Sequence, residues 1–248
     1  MGSPRSDPRS RSGPRGGKGS FRSIVSALEK LHGRPKAFPP RNPFQWILWE
    51  NVAYLLDDEK RELAYRTLEK KVGLTAERIA KAPAKVLREV TAFGGMHPDR
   101  RVARLNEIAE LALAEKSPDL AHVLDLPLAQ ARKILEKFPS IGAPGADKIL
   151  LLCGALRELA LESNGLRVVV RLGHGEEKSG YAATYRSALA ALAPKLPEDN
   201  AWLARAHLLL RTHGRTLCRR SDPDCDACPL TRRCRYFATL SAHPGGSR

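Results

Sequence analysis

Residues 217–237 read LCRRSDPDCDACPLTRRCRYF, with Cys218, Cys225, Cys228 and Cys234 in the spacing C-x6-C-x2-C-x5-C. Four thiols this close together form a metal-ligand pattern. A cluster of iron and sulfide needs four thiolates converging on a compact inorganic core, and one CxxC turn flanked by two longer loops can wrap it. Four thiolates also satisfy a tetrahedral zinc ion, and disulfides are a third arrangement. Zinc modules usually supply two paired Cys turns, whereas only Cys225 and Cys228 form such a pair here, so the spacing favours iron and sulfur. The fifth cysteine, Cys153 in ILLLCGAL, is expected to be a buried small apolar residue.

Outside this loop the chain is that of a globular protein, long enough at 248 residues to bury a substantial core. Its formal charge is +15, and nine Lys/Arg against two acids in residues 1–36 leave +7 there and +8 on the rest. The excess is therefore not confined to a tail. A basic body attracts polyanions, nucleic acid being the commonest, although charge alone also permits an anionic membrane surface. No apolar run approaches a bilayer span, and the N-terminus lacks the apolar core of a secretory signal. The expectation is a cytoplasmic protein, nucleoid-associated if bacterial, whose clustered thiols bind metal rather than oxidise.

Residues 1–20 contain almost nothing that could enter a core. From Phe21 the apolar positions Ile24, Val25, Leu28 and Leu31 recur at helical spacing. A second helix is predicted over 43–56, apolar on nearly every face except at Glu50, and further helices over 59–72, 75–81, 83–92, 99–115 and 128–137. Helices at 180–192 and 202–214 follow. No alternating run is long enough to build a sheet, so the class is all-α. Arg100, Arg101 and Arg104, after the break at Gly94 and Gly95, read as a solvated face, with a phosphate contact as the alternative.

Residues 138–152, FPSIGAPGADKILLL, read as helix, tight turn, helix. Ile141 anchors the turn, Gly142 and Gly145 free backbone amides, and a new helix begins near Ala146. Amides gathered at a helix N-terminus bind a phosphate oxygen without reading sequence. Together with the four-cysteine loop, this segment resembles the helix-hairpin-helix of the DNA glycosylase superfamily. The cysteine spacing resembles the 4Fe–4S loop of its endonuclease III and MutY members.

The resemblance covers roughly residues 21–238 and implies a two-lobed helix-hairpin-helix glycosylase fold. A six-helix barrel with the hairpin would occupy 37–157, and an iron–sulfur domain 21–36 and 158–238. A disordered basic tail at 1–20 and a flexible C-terminus at 239–248 would flank them. A 4Fe–4S cluster on Cys218, Cys225, Cys228 and Cys234 would pin a basic loop carrying Arg219 and Arg220 against DNA phosphate. Ile141, Gly142, Gly145, Ala146 and Lys148 would contact DNA at the hairpin. Bifunctional members carry a Schiff-base lysine two residues after the second hairpin glycine. That position is Pro144 here, which has no nucleophile, and Lys148 one turn further on is expected to be solvated or phosphate-facing.

Breaking an N-glycosidic bond builds positive charge on the sugar, so a carboxylate near the anomeric carbon lowers the barrier. The family supplies an aspartate after the hairpin. The matching stretch, LESNGLRVVVRLG at 161–173, looks most like the MutY version, with Asn164, Arg167, Val168 and Arg171 in place and Glu162 at the aspartate position. Asn164 would orient the acid. By itself Glu162 also reads as an ordinary helix N-terminal acid. The segment PFQWILWE resembles MutY too, whose base-protonating glutamate falls on Glu50, and an apolar helix is expected to raise its pKa by desolvation. Without the resemblance, Glu50 reads as an edge residue or an arginine's partner. Where relatives carry gap-filling glutamines this chain has Tyr54 and Leu55, which read as a wedge or as core.

These features point to a monomeric, monofunctional glycosylase acting on double-stranded DNA that contains a lesion or mismatch, with a purine mildly favoured by Glu50. A uracil or thymine mismatch activity and an inactive DNA-binding protein are the alternatives.

Overall fold

The computed structural model describes residues 20–53 and 56–242, and all of its regular elements are helical. Tyr54, Leu55 and the residues before Ser20 and after Ala242 lie outside the described part. No helix of the described part is long and apolar enough to cross a membrane.

One group of helices comprises α2 (Pro43–Asn51), α3 (Asp58–Lys71), α4 (Ala76–Lys81), α5 (Ala84–Ala92), α6 (Pro98–Leu113), α7 (Leu128–Leu135) and α8 (Ala143–Leu152). The other joins α1 (Phe21–His32) to α9 (Ser163–Arg171), α10 (Tyr181–Leu192), α11 (Asn200–Thr216) and α12 (Arg235–Ala242). In the first group α6 packs against α2, α4 and α5. In the second α11 packs against α1 and α9, so the start of the folded chain closes onto its end. Contacts between α8 and α11 join the two groups.

Helix α2 is the centre of the first group because nearly every side chain on it is apolar. Phe44, Trp46, Ile47, Leu48 and Trp49 are all buried, and Trp46, Trp49, Phe38 and Tyr65 meet edge to face. Asn42 caps the helix by accepting from Gln45 N at 2.9 Å, and Pro43 sits in the first turn, where its missing N–H costs little. The helix stops at Asn51, short of the expected 56. The Asn51 amide donates to Ile47 O and Pro139 O, both at 3.0 Å, drawing the helix end onto the hairpin. Gly94 closes over the same point: a Cβ there would lie 2.2 Å from Val52 O, so only glycine lets the α5–α6 turn cross.

The hairpin is α7, a turn and α8. Ser140 adopts φ 64° in the turn, a left-handed conformation costing on the order of 1–2 kcal/mol for an L-residue. Helix α8 starts at Ala143 rather than near Ala146. Gly145 N and Ala146 N therefore donate within the helix to Gly142 O, at 2.8 and 2.9 Å, and are not free for a phosphate. The N–H groups of Gly142 and Ala143, one step earlier, have no partner among the described residues.

Candidate active site

A cleft of about 840 Å³ opens between the two groups, and Glu50 from α2 and Glu162 from the N-terminus of α9 both line it. These acids lie far apart in sequence. The α8–α11 contact and the close approach of α9 to α11 bring them to one space. That approach depends on Gly214, where a Cβ would stand 2.4 Å from Asn164 O.

Glu162 is the N-cap of α9, its Oε1 accepting from Gly165 N at 2.7 Å. The helix-terminal and cleft-facing readings of this residue are thus one arrangement, since the cap holds the carboxylate at the cleft wall. Asn164 donates to Oε2 at 2.8 Å. Arg167 in turn donates to Asn164 Oδ1 at 2.8 Å, to Gly214 O at 2.7 Å and to Cys218 O at 2.8 Å. A hydrogen-bonded line therefore runs from Glu162 to the first cysteine of the C-terminal loop.

Glu50 departs from the expected general acid. Burial does push its pKa up, but the Lys148 ammonium 2.7 Å from Oε1, Arg61 3.5 Å from Oε2, and Arg211 together outweigh it and hold the carboxyl below its ordinary range. The apolar helix was only half of its surroundings: the other half is cationic and comes from α3, α8 and α11. Lys148 departs likewise. It is neither solvated nor turned outward to phosphate, its side chain being 16% exposed and lining the cleft against Glu50.

Asp58, at the start of α3, accepts two 2.6 Å bonds from Arg211 and one of 2.6 Å from Arg215, pinning the first group to α11 beside the cleft. Burial raises the Asp58 pKa, while its hydrogen bond and charge contact with Arg211, together with Arg215 and Arg61, lower it by more, so the net shift is downward. A depressed folded-state pKa contributes stability that is complete above the ordinary value of 3.8 and is lost as pH falls through the lowered one. Asp58→Asn is expected to cost about 2 kcal/mol, a fall in Tm of roughly 4–8 °C, and to flatten the decline of Tm between pH 5 and 3. Thermal melts across that range check both.

His207 lines the cleft with 2% exposure. Its Nδ1 meets Ala160 O at 2.9 Å and must carry the hydrogen, because a carbonyl can only accept. Burial brings its pKa down to about 4, so the ring is neutral with a bare Nε2. Asn51 Oδ1, Arg61 Nε, Arg101 Nε, Arg205 Nε and His207 Nε2 are the buried side-chain atoms without a partner among the described residues. All but Arg205 belong to residues of this cleft. Buried polar atoms are normally paired, and here the exceptions gather around the cleft. Arg101 is not the solvated residue expected, being 3% exposed and donating to Gly95 O and Met96 O. Beside it Phe93 and Met96 are exposed.

Arg219 and Arg220 are exposed and line the cleft, whereas Ile141, Gly142, Gly145 and Ala146 do not. Arg171 shapes their loop by donating to Arg219 O at 2.8 Å, Arg220 O at 3.1 Å and Cys218 Sγ at 3.3 Å, while stacking 4.1 Å from the Tyr236 ring centre. Nothing in the sequence pattern marked Arg61, Asp58 or His207. The i, i+4 arginines of α11 were visible, but their partner was not.

All four loop cysteines are free thiols, which removes the disulfide reading. Cys218 lies within electrostatic reach of Cys225, Cys228 and Cys234. Yet among the described residues no three candidate ligands stand close enough to hold a single metal ion. Arg171 donates to the Cys218 sulfur and Phe237 N to the Cys234 sulfur, at 3.3 and 3.5 Å, and His213 Nε2 lies 3.4 Å from the Cys228 sulfur. Cys153 is half-buried at the end of α8, its thiol pushed up to about 12 by burial, which makes it inert.

No protein-family model matches the chain. Endonuclease III of Sulfolobus acidocaldarius is 26% identical over 198 residues, covering 79% of this chain and 83% of the relative. Endonuclease III of Rickettsia conorii is 31% identical over 115 residues, and there the chain spans about half of the relative, 48%. An endonuclease III–DNA complex superposes with a TM-score of 0.69 at 17% identity, covering 90% of this chain and 97% of that one. In sequence the chain is similar to endonuclease III over most of its length, and it shares that protein's all-helical fold. A thermostable thymine-DNA glycosylase shares the fold with a TM-score of 0.68 at 18% identity, covering 88% and 96% of the two chains. Among the described residues, the cleft between the helix groups brings both candidate acids and Arg219 and Arg220 of the cysteine loop to a common space.

Proposed function

We propose that this protein is a monofunctional DNA glycosylase of base excision repair, binding double-stranded DNA and hydrolysing the N-glycosidic bond of a damaged or mispaired base. The observation that carries it is the convergence of Glu162 and Glu50 in one cleft rimmed by Arg219 and Arg220. A base inside a duplex is out of reach, so the nucleotide is extruded into the cleft at a cost of a few kcal/mol. Glu162, fixed by Gly165 N and Asn164, faces the sugar and stabilises the charge growing there. Water then completes the hydrolysis, Pro144 offering no amine to form a covalent adduct. Lys148, Glu50 and Arg61 face the base. The preference for purines rested on a protonated Glu50 and loses that support, while the fold shared with a thymine-DNA glycosylase keeps a mispaired pyrimidine in view.

The cysteines Cys218, Cys225, Cys228 and Cys234 would hold a 4Fe–4S cluster that supplies a rigid centre for the loop carrying Arg219 and Arg220. Purified protein is expected to contain stoichiometric iron and acid-labile sulfide; zinc with neither would sink the cluster. Single-turnover incubation with duplexes carrying uracil, thymine mismatches, oxidised bases and hypoxanthine, with and without alkali, tests the activity. Abasic sites revealed only after alkali support a monofunctional glycosylase. Duplex binding without base release from any substrate supports instead a DNA-binding protein that has lost chemistry.

A further inference from the structure

We infer that Lys148 is the acid that protonates the departing base, that Glu50 is the positioning residue that holds its ammonium in place, and that the base served is neutral rather than cationic. This rests on the glycosylase reading and adds to it the proton source and the charge class of the substrate.

When the bond from C1′ breaks, both electrons leave with the base, whose growing negative charge is relieved by a proton. The groups facing Glu50 that could supply one come from four elements. Glu50 itself, on α2, is ionised in its contact with Lys148 and Arg61. Arg61 on α3 and Arg211 on α11 do not release protons at neutral pH. His207 on α11 has its only ring hydrogen committed to Ala160 O. Glu162, at the N-terminus of α9, has both carboxyl oxygens engaged as acceptors by Asn164 and Gly165 N. Lys148 on α8 remains: a dissociable ammonium lining the cleft, 2.7 Å from Glu50 and 16% exposed.

The step balances. The bonding pair goes to the base, a proton moves from Lys148 Nζ onto a base heteroatom, and Lys148 is left as a neutral amine. Water adds to C1′ with loss of a proton, and the amine regains one from solvent, giving free base and a sugar hydroxyl. Around Glu50 the three cations Lys148, Arg61 and Arg211 outnumber Glu50 itself, and Arg211 is shared with Asp58. A base alkylated to a cation is repelled there, and it needs no proton to leave.

The test compares the wild type with Lys148→Gln, Lys148→Arg and Glu50→Gln in single turnover over pH 5–10. The duplexes carry the best-released neutral base of the panel above and, separately, 7-methylguanine as the cationic probe. Lys148→Gln is expected to lose on the order of 100-fold in rate, measured below a Tm lowered by the lost ion pair with Glu50, while the variant still folds and binds duplex. Lys148→Arg keeps the charge and cannot give up the proton, so it should be equally slow. Glu50→Gln should lose rate most steeply on the alkaline side, moving that limb of the profile to lower pH, because the ammonium loses its counter-charge; a merely structural role would lower the rate equally at every pH. If Lys148→Arg restores the wild-type rate, or Lys148→Gln never loses it, Lys148 is not the acid. Release of 7-methylguanine in preference to the neutral base overturns the charge class, and a borohydride-trapped adduct lost in Lys148→Gln makes the residue a nucleophile instead. Absence of base release by the wild type from every duplex sinks the glycosylase reading itself, an outcome distinct from all of these.

Discussion

Glu162→Gln should release base on the order of 100- to 1,000-fold more slowly in single turnover while binding duplex DNA normally. The estimate follows from removing one preorganised electrostatic group from beside a developing charge. The neutral amide keeps an oxygen for Gly165 N, so the cap survives, but it offers no charge to the sugar and sets an NH₂ group against the Asn164 amide. Glu162→Asp is the sharper probe. Aspartate is a favoured N-cap, so helix α9 should not be weakened and Tm should hold or rise slightly. The shorter side chain withdraws the carboxylate by roughly 1.5 Å, and a displacement near 1 Å can cost on the order of 100-fold. Stability and rate therefore part company if the cleft is built round the longer acid. A rate for Glu162→Asp at or above the wild type would mean that it is not.

The second large effect is expected at Arg167, far from any substrate atom. Arg167→Met removes bonds to Asn164 Oδ1, Gly214 O and Cys218 O and leaves three acceptors without their donor. Hydrogen bonds to a charged group contribute ~1.5–3 kcal/mol each and do not add fully, so a loss of about 3–4 kcal/mol and a Tm lower by roughly 6–16 °C are expected. Base release should fall as well, because Asn164 loses the group that aims it at Glu162. A variant whose Tm drops while its single-turnover rate below that Tm is unchanged would show that the line from the cysteine loop to the acid is structural only. The cysteine loop, which by sequence says nothing about chemistry, is thus joined to the candidate acid through the side chains of Arg167 and Asn164.

How much was legible depended on the range of the interaction. The helical class followed from apolar spacing, because a helix's buried face is encoded within each stretch of the chain. The loop from Cys218 to Cys234 was legible because its ligands lie close in sequence. Helix ends were less so: Asn51, the last residue of α2, donates to Pro139 O, 88 positions away.

What the sequence by itself determined was the inventory: four clustered thiols, a hairpin with proline where a lysine nucleophile would stand, and acids at 50 and 162. What only the tertiary structure decided was their state. An apolar helix predicted a protonated Glu50, but Lys148, Arg61 and Arg211 arrive from α8, α3 and α11 and reverse the sign. Charge interactions act through space, and the sequence neighbours of a residue do not say which charges the fold will set beside it.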